Sequence, residues 1–347
     1  MNSKERVMRA IRHQDTDRVP LDFSAVPIVL QRLQIDLGVH SDEDILRYLN
    51  IDLRPVWMGA YSGPKRFAPD GQEANCWGIA GDSSSYAENM GYRPLQNVAS
   101  VDEVYAHSWP DPDDFDYSIV ETQCDSYSEY ATRGSSWAPI FCQACDLCGM
   151  ETMLYLLAGE PLIADAILDC ITNVHLGMNQ RMFEAANGKL DICFMGDDYG
   201  TQQGMMISPN TWRNLIKPHL GRLYAQAKEY GLVTMHHSCG SIVPIIPDLI
   251  DIGVDMLDPI QVRAVGMDPA FLKGEFGSRM IFHGAVDTQQ TLPYGSQDEV
   301  REEVRERIKI LGKDGGYILT GSHDYLDDIS TANILALYSE AAKSNGA

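Results

Sequence analysis

From residue 190 onward the chain alternates short apolar runs with amphipathic stretches, and few architectures accommodate that order. The runs are Asp191–Gly196 (DICFMG), Leu232–His237 (LVTMHH), Val254–Leu257 (VDML), Met280–Gly284 (MIFHG) and Gly316–Thr320 (GYILT). Each predicts a buried strand, because parallel strands covered on both faces are continuously apolar. Between them lie predicted helices. Ser208–Tyr230 opens with Ser-Pro, an N-cap followed by proline at the first helical position. Asp298–Leu311 carries Val300, Val304, Ile308 and Leu311 on one face, and Ser330–Ala342 is a closing amphipathic helix. Strand–helix alternation of this kind implies right-handed βαβ units around a parallel sheet.

The first half is less regular. Trp137–Cys142 (WAPIFC) predicts a further strand, and Glu151–Ala186 two helices broken near Gly159-Glu160-Pro161. Residues 60–136, rich in Gly, Pro, Ser, Asp and Tyr, read as an elaborated loop region, with the acidic stretch at 109–117 a solvated turn. A length of 347 residues suits one α/β barrel domain with additions, spanning 1–347. The net charge of −22 excludes nucleic acid and anionic membrane surfaces as partners. No run of about 18 apolar residues predicts a membrane span, and the charged start MNSKERVMRAIRH has no signal-peptide core. A cytoplasmic location is therefore expected, with the eight cysteines reduced.

Ligand-type residues fall just after the predicted strands. DICFMG leads to Asp197, Asp198 and Tyr199, LVTMHH to Ser238 and Cys239, and VDML to Asp258. MIFHG contains His283 and leads to Asp287, and GYILT is followed by His323 and Asp324. In a parallel barrel those ends form the active-site mouth. His237 and Cys239 are two apart in an extended segment, so both point to one side, roughly 6.5 Å apart. Imidazole with thiolate is a zinc-type pair. His323 is the best-placed third ligand, and Asp197 or Asp198 would complete four. The Asp197-Asp198 pair also suits acid–base work with one shared proton. Met205, beside Met206, suits a pocket for a methylated or aromatic substrate, and His283 and Asp287 suit substrate orientation. His236 should turn away from His237. Cys142, Cys145 and Cys148 match no cluster motif and read as packing.

Ala10–Asp22 (AIRHQDTDRVPLD), Gly196–Pro209 (GDDYGTQQGMMISP), Met235–Gly240 (MHHSCG) and the end from Gly315 to Tyr338 resemble the uroporphyrinogen decarboxylase superfamily. Within it, His237-x-Cys239-Gly240 is similar to the zinc motif of the corrinoid-dependent methyltransferase branch, which includes the methylcobalamin:coenzyme M and O-demethylase methyltransferases. The resemblance implies a TIM (β/α)8 barrel with N-terminal and loop elaborations and a zinc ion at its C-terminal mouth. It also implies methyl transfer to or from cobalamin and places the Asp197-Asp198 loop at the mouth; Asp197 and Asp198 are the candidate catalytic groups, and Tyr199 and Met205 are candidate substrate contacts. Superfamily members often form dimers, so a homodimer is an expected assembly.

Two departures sharpen that expectation. Coenzyme M enzymes place a zinc-binding cysteine after the last strand, where this chain has Thr320-Gly321-Ser322-His323. The arginine-rich segment of true porphyrinogen decarboxylases is replaced by LDFSAVPIVLQRL, which disfavours an octacarboxylate substrate. No D-x-H-x-x-G pattern occurs, so the cobalamin is expected on a separate corrinoid protein. The leading expectation is a zinc-dependent methyltransferase acting on a small methyl donor or acceptor. A decarboxylase of another carboxylate and a non-catalytic ligand-binding barrel are the alternatives.

Overall fold

The computed structural model describes residues 1–81 and 91–343. Its strands are β1 (Leu53–Pro55), β2 (Arg66–Phe67), β3 (Glu73–Ala74), β4 (Ala131–Arg133), β5 (Ile192–Gly196), β6 (Val233–His237), β7 (Met256–Ile260), β8 (Ile281–Val286) and β9 (Tyr317–Gly321). Seven of them form one parallel sheet in the order β1-β4-β5-β6-β7-β8-β9, and β2 and β3 make a separate antiparallel hairpin. The sheet closes through a segment that carries no strand pattern. Leu21 bridges Leu319 of β9 in parallel, with Leu319 N–H donating to the Pro20 carbonyl and Asp22 N–H to that of Leu319. On the other side Asp52 N–H, just before β1, donates to the Leu21 carbonyl at 2.9 Å. Residues 20–22 are thus the eighth stave of a TIM-type barrel, and closure removes both sheet edges.

Period-two alternation divides the interior into layers. The lower layer takes one apolar residue from each strand of the sheet: Leu53, Ala131, Ile192, Met235, Met256, Ile281 and Ile318. Val7, on the buried face of the Ser3–Ile11 helix, packs under it and plugs that end. Two residues further along the same strands stand Arg133, Phe194, His237, Asp258 and His283. The barrel is therefore apolar at its base and charged toward the carboxyl ends of its strands.

All five strands expected after residue 190 form. The expected strand at Trp137–Cys142 does not: the stave is Ala131–Arg133, inside the region read as loop, and Phe141–Cys148 is helical. Residues 82–90 of that loop region lie outside the described residues. Glu151–Ala186 does hold two helices, Met150–Gly159 and Pro161–Ala185. The single helix expected over Ser208–Tyr230 is split into Pro209–Leu215 and Lys217–Glu229. Pro218 has no N–H for the carbonyl one turn back and clashes with it, so the ladder breaks there. Ser208 is the N-cap, accepting from Thr211 N–H at 3.0 Å. No helix among the described residues is long and apolar enough to cross a membrane.

Candidate functional site

β6 delivers His237 to the inner wall, and the turn after it brings Cys239 back beside it, with Cys239 Sγ 3.4 Å from His237 Nε2. Asp198, just past β5, braces that turn: its Oδ1 accepts from Cys239 N–H at 2.7 Å and lies 3.6 Å from His237 Nε2. One ligand atom from each of Asp198, His237 and Cys239 lies within 4.8 Å of the other two. Gly240 lets the turn close, because a Cβ there would lie 2.5 Å from the Gly200 carbonyl carbon, and its φ is +77°. His323, from the loop after β9, is electrostatically coupled to the Cys239 sulfur but lies outside the group formed by the ligand atoms of the other three. Of the residues expected to bind metal, His237 and Cys239 come together, Asp198 is the carboxylate that joins them, and His323 stands outside that group.

Asp258 on β7 sets the ring of His237. Its Oδ2 lies 2.6 Å from His237 Nδ1, which leaves Nε2 facing the sulfur and Asp198. The other oxygen, Oδ1, meets His283 Nδ1 at 2.5 Å, and His283 Nε2 lies 3.0 Å from Asp22 Oδ2. Arg133 Nε ends the chain, 3.1 Å from the same Asp22 oxygen, with its guanidinium over the Phe194 ring. A buried row of alternating charge thus runs from Arg133 through Asp22, His283 and Asp258 to His237. Burial penalises the charges of Asp22, His283, Asp258 and His237, yet their neighbours win. Burial alone would push His283 down, but Asp258 and Asp22 hold it up to about 9. His237 likewise stands well above its usual range through Asp258, and Asp258 lies far below its own through His283 and His237. Burial raises the Cys239 thiol, but hydrogen bonds from His237 and His323 bring it below its ordinary value of 9.0, toward the thiolate. The hydrogen bond to that sulfur is also the main reason His323 rises to about 9.

Asp197 is placed differently from its neighbour. It is 2% exposed and accepts from the N–H groups of Ile140, Phe141 and Cys142 and from the Tyr199 hydroxyl, at 2.6 to 3.0 Å. Its carboxylate caps the helix over Phe141–Cys148, which is why WAPIFC turns helical instead of continuing as a strand. Burial, opposed by these hydrogen bonds, raises its pKa to about 6. The proton-sharing Asp197-Asp198 pair expected from adjacency is therefore corrected: one carboxylate points to a helix terminus and the other to the His–Cys cluster.

The residues expected at substrate are also placed. Tyr199 is fully buried. His283 spends both ring nitrogens on carboxylates and acts through Asp258 behind His237. Asp287 pairs with Arg263 and accepts from the N–H groups of Gln289 and Gln290. Met205 is half-buried, bridging Gly200 in the loop that covers Gly240. His236 turns outward as expected, its Nδ1 2.6 Å from the Tyr224 hydroxyl, and burial lowers it to about 3. The Cys142, Cys145 and Cys148 thiols lie along one helix and do not converge on a common point. Sequence reasoning missed Asp22, Arg133 and Trp137 as members of the site. Arg133 had a signal in strand parity, since it stands two residues beyond Ala131 as Asp258 and His283 stand beyond Met256 and Ile281; Asp22, in a segment without strand pattern, had none.

Fold and site together define a class: a TIM-type barrel with a thiol, an imidazole and a carboxylate converging at its carboxyl end. The chain belongs to the family described as uroporphyrinogen decarboxylase (URO-D), whose model matches residues 98–344. A methyltransferase from Methanosarcina mazei is similar in structure, with a TM-score of 0.66 and 17% sequence identity over 99% of both chains. A 3-keto-D-glucoside 4-epimerase, YcjR, from E. coli superposes with a TM-score of 0.36 and 13% identity over 61% of this chain and 98% of that one. No curated protein sequence matches the chain.

Proposed function

We propose that the chain is a zinc-dependent methyltransferase that moves a methyl group between a small substrate and the cobalamin of a separate corrinoid protein. The observation that carries the reading is the convergence of Asp198, His237 and Cys239 on one point. A soft thiolate with nitrogen and oxygen donors is a zinc-type set. The second contact of His237 strengthens the fit, because ligating imidazoles are held by a carboxylate on their far nitrogen, as Asp258 holds this one. The Methanosarcina mazei neighbour is a methyltransferase, which agrees with the reading.

Asp198, His237, Cys239 and His323 would hold the ion. Bound zinc supplies Lewis acidity, which stabilises charge on a thiol or oxygen that gains or loses a methyl group. The protein's own part is to keep Cys239 as thiolate, to fix His237 with Nε2 forward, and to close the base of the barrel against water with its apolar layer. Asp198, its side chain 43% exposed, is the member of the cluster that faces incoming substrate. The heteroatom–methyl bond breaks with both electrons left on the heteroatom. A porphyrinogen reading is disfavoured because Arg133 and Arg263 are already paired with Asp22 and Asp287.

Purified protein should contain about one zinc per chain, and C239A should lose it. With reduced cobalamin and a methyl donor, visible absorbance should report methylation by the zinc-loaded chain alone. Metal-stripped protein that retains the full rate would sink this reading.

A further inference from the structure

Trp137 is the large aromatic at the cluster that neither the fold nor the proposed chemistry uses. It follows β4, and its ring centroid lies 5.5 Å from that of His237 and 4.9 Å from that of Phe194. Its backbone is held in the left-handed region at φ +63°, and Ala138 follows at +44°. Two consecutive non-glycine residues there are unfavourable and persist only where the surroundings dictate them. Here the surroundings do so: Trp137 N–H donates to Ser135 Oγ at 2.9 Å, and its carbonyl accepts from Gly196 N–H at 3.0 Å.

The strand beneath has been cleared for the indole. A Cβ on Gly196 would lie 2.4 Å from Trp137 Cη2 and 2.9 Å from His237 Cβ, so only glycine lets the ring lie flush against β5 next to the imidazole. Trp137 is 38% exposed, and among the described residues its Nε1 has no hydrogen-bond acceptor. The indole thus presents an apolar face and one unspent donor beside His237.

We infer that Trp137 is a specificity-determining residue, a platform on which a planar conjugated ring of the substrate lies while its methyl-bearing heteroatom reaches the His237–Cys239 cluster. The inference rests on the methyl-transfer reading only for which bond of that substrate reacts. A face of this size is matched by a ring and offers little to a one-carbon substrate such as methanol. A hydroxyl or carbonyl on the ring accepts from Nε1.

The test is calorimetric binding of 2-methoxyphenol to the full chain, with zinc and without it, so that the readout does not depend on turnover. W137A should weaken binding about tenfold, and W137F, which keeps a ring, should stay within about threefold of the parent. G196A should weaken it similarly by pushing the indole off its seat while leaving Trp137 in place. Thermal melts confirm that each variant is folded. Methanol binding, followed by competition, should be the same in parent and W137A. Equal 2-methoxyphenol affinity in parent and W137A, or no binding by the parent, overturns the inference. Ring binding that depends on Trp137 without any methyl transfer would refute the methyltransferase reading and leave the platform standing. Methyl transfer from methanol alone, unchanged in W137A, would do the reverse.

Discussion

Asp258 touches two imidazoles and no solvent-facing group, which makes it the residue where loss of one charge is most informative. In D258N the Nδ1 of His237 meets a neutral amide and Nε2 is no longer held forward. Zinc affinity is expected to fall roughly 10- to 100-fold, measurable by competition with a chromophoric chelator. Asp197 answers a different question, since its four donors belong to a helix start and a tyrosine. D197A strands those donors in the interior and should lower stability by about 3 kcal/mol, read from denaturant unfolding. Metal content at saturating zinc should be retained in the folded fraction. A variant that unfolds as the parent does would remove the capping role. His283 provides a pH signature. Its pKa, raised from 6.5 to about 9, contributes stability that is complete below 6.5 and is lost as pH rises through 9. The stability difference between the parent and H283Q should therefore narrow across that interval, by up to about 3 kcal/mol. A difference constant from pH 6 to 10 would contradict the ion row.

At the scale of elements, legibility followed how local the deciding interaction is. β5, β6, β7, β8 and β9 are continuous apolar runs, and the covering helices carry their own caps and stripes, so both were readable. The pairing of His237 with Cys239 was readable too, because two-residue alternation needs no partner to be known. What failed depended on distant residues. WAPIFC has a strand's composition, and it bends into a helix because a carboxylate 55 to 57 residues on takes its N–H groups. Ala131–Arg133 is three residues long and hides in a polar region, yet it pairs with β1 and β5. The Asp197-Asp198 dipeptide suggested a joint role from adjacency alone, whereas neighbouring residues at a strand end point to opposite sides. The family resemblance marked the MHHSCG segment, and period-two reasoning carried inward along β7 and β8 would have added Asp258 and His283 as a row.

For the molecule as a whole, the barrel depends on both ends of its chain. Residues 20–22 fill the gap between β9 and β1, and the Ser3–Ile11 helix plugs the base. A chain shortened by its first 24 residues would leave two unpaired strand edges and an open apolar layer. It should aggregate or remain expanded, as size-exclusion light scattering and circular dichroism would show. A soluble monomer of native secondary structure would contradict the closure described above.

That closure also has a consequence for timing. Asp22 reaches His283 across 261 residues, and Leu21 pairs with Leu319 of the final stave. A ribosome has made every stave between them before the last can join the first. The stave that carries Asp22 gains its second neighbour, beside the one before β1, only when β9 arrives. The row of charges behind the cluster thus joins residues made early to residues made late, and it is completed with the barrel rather than before it.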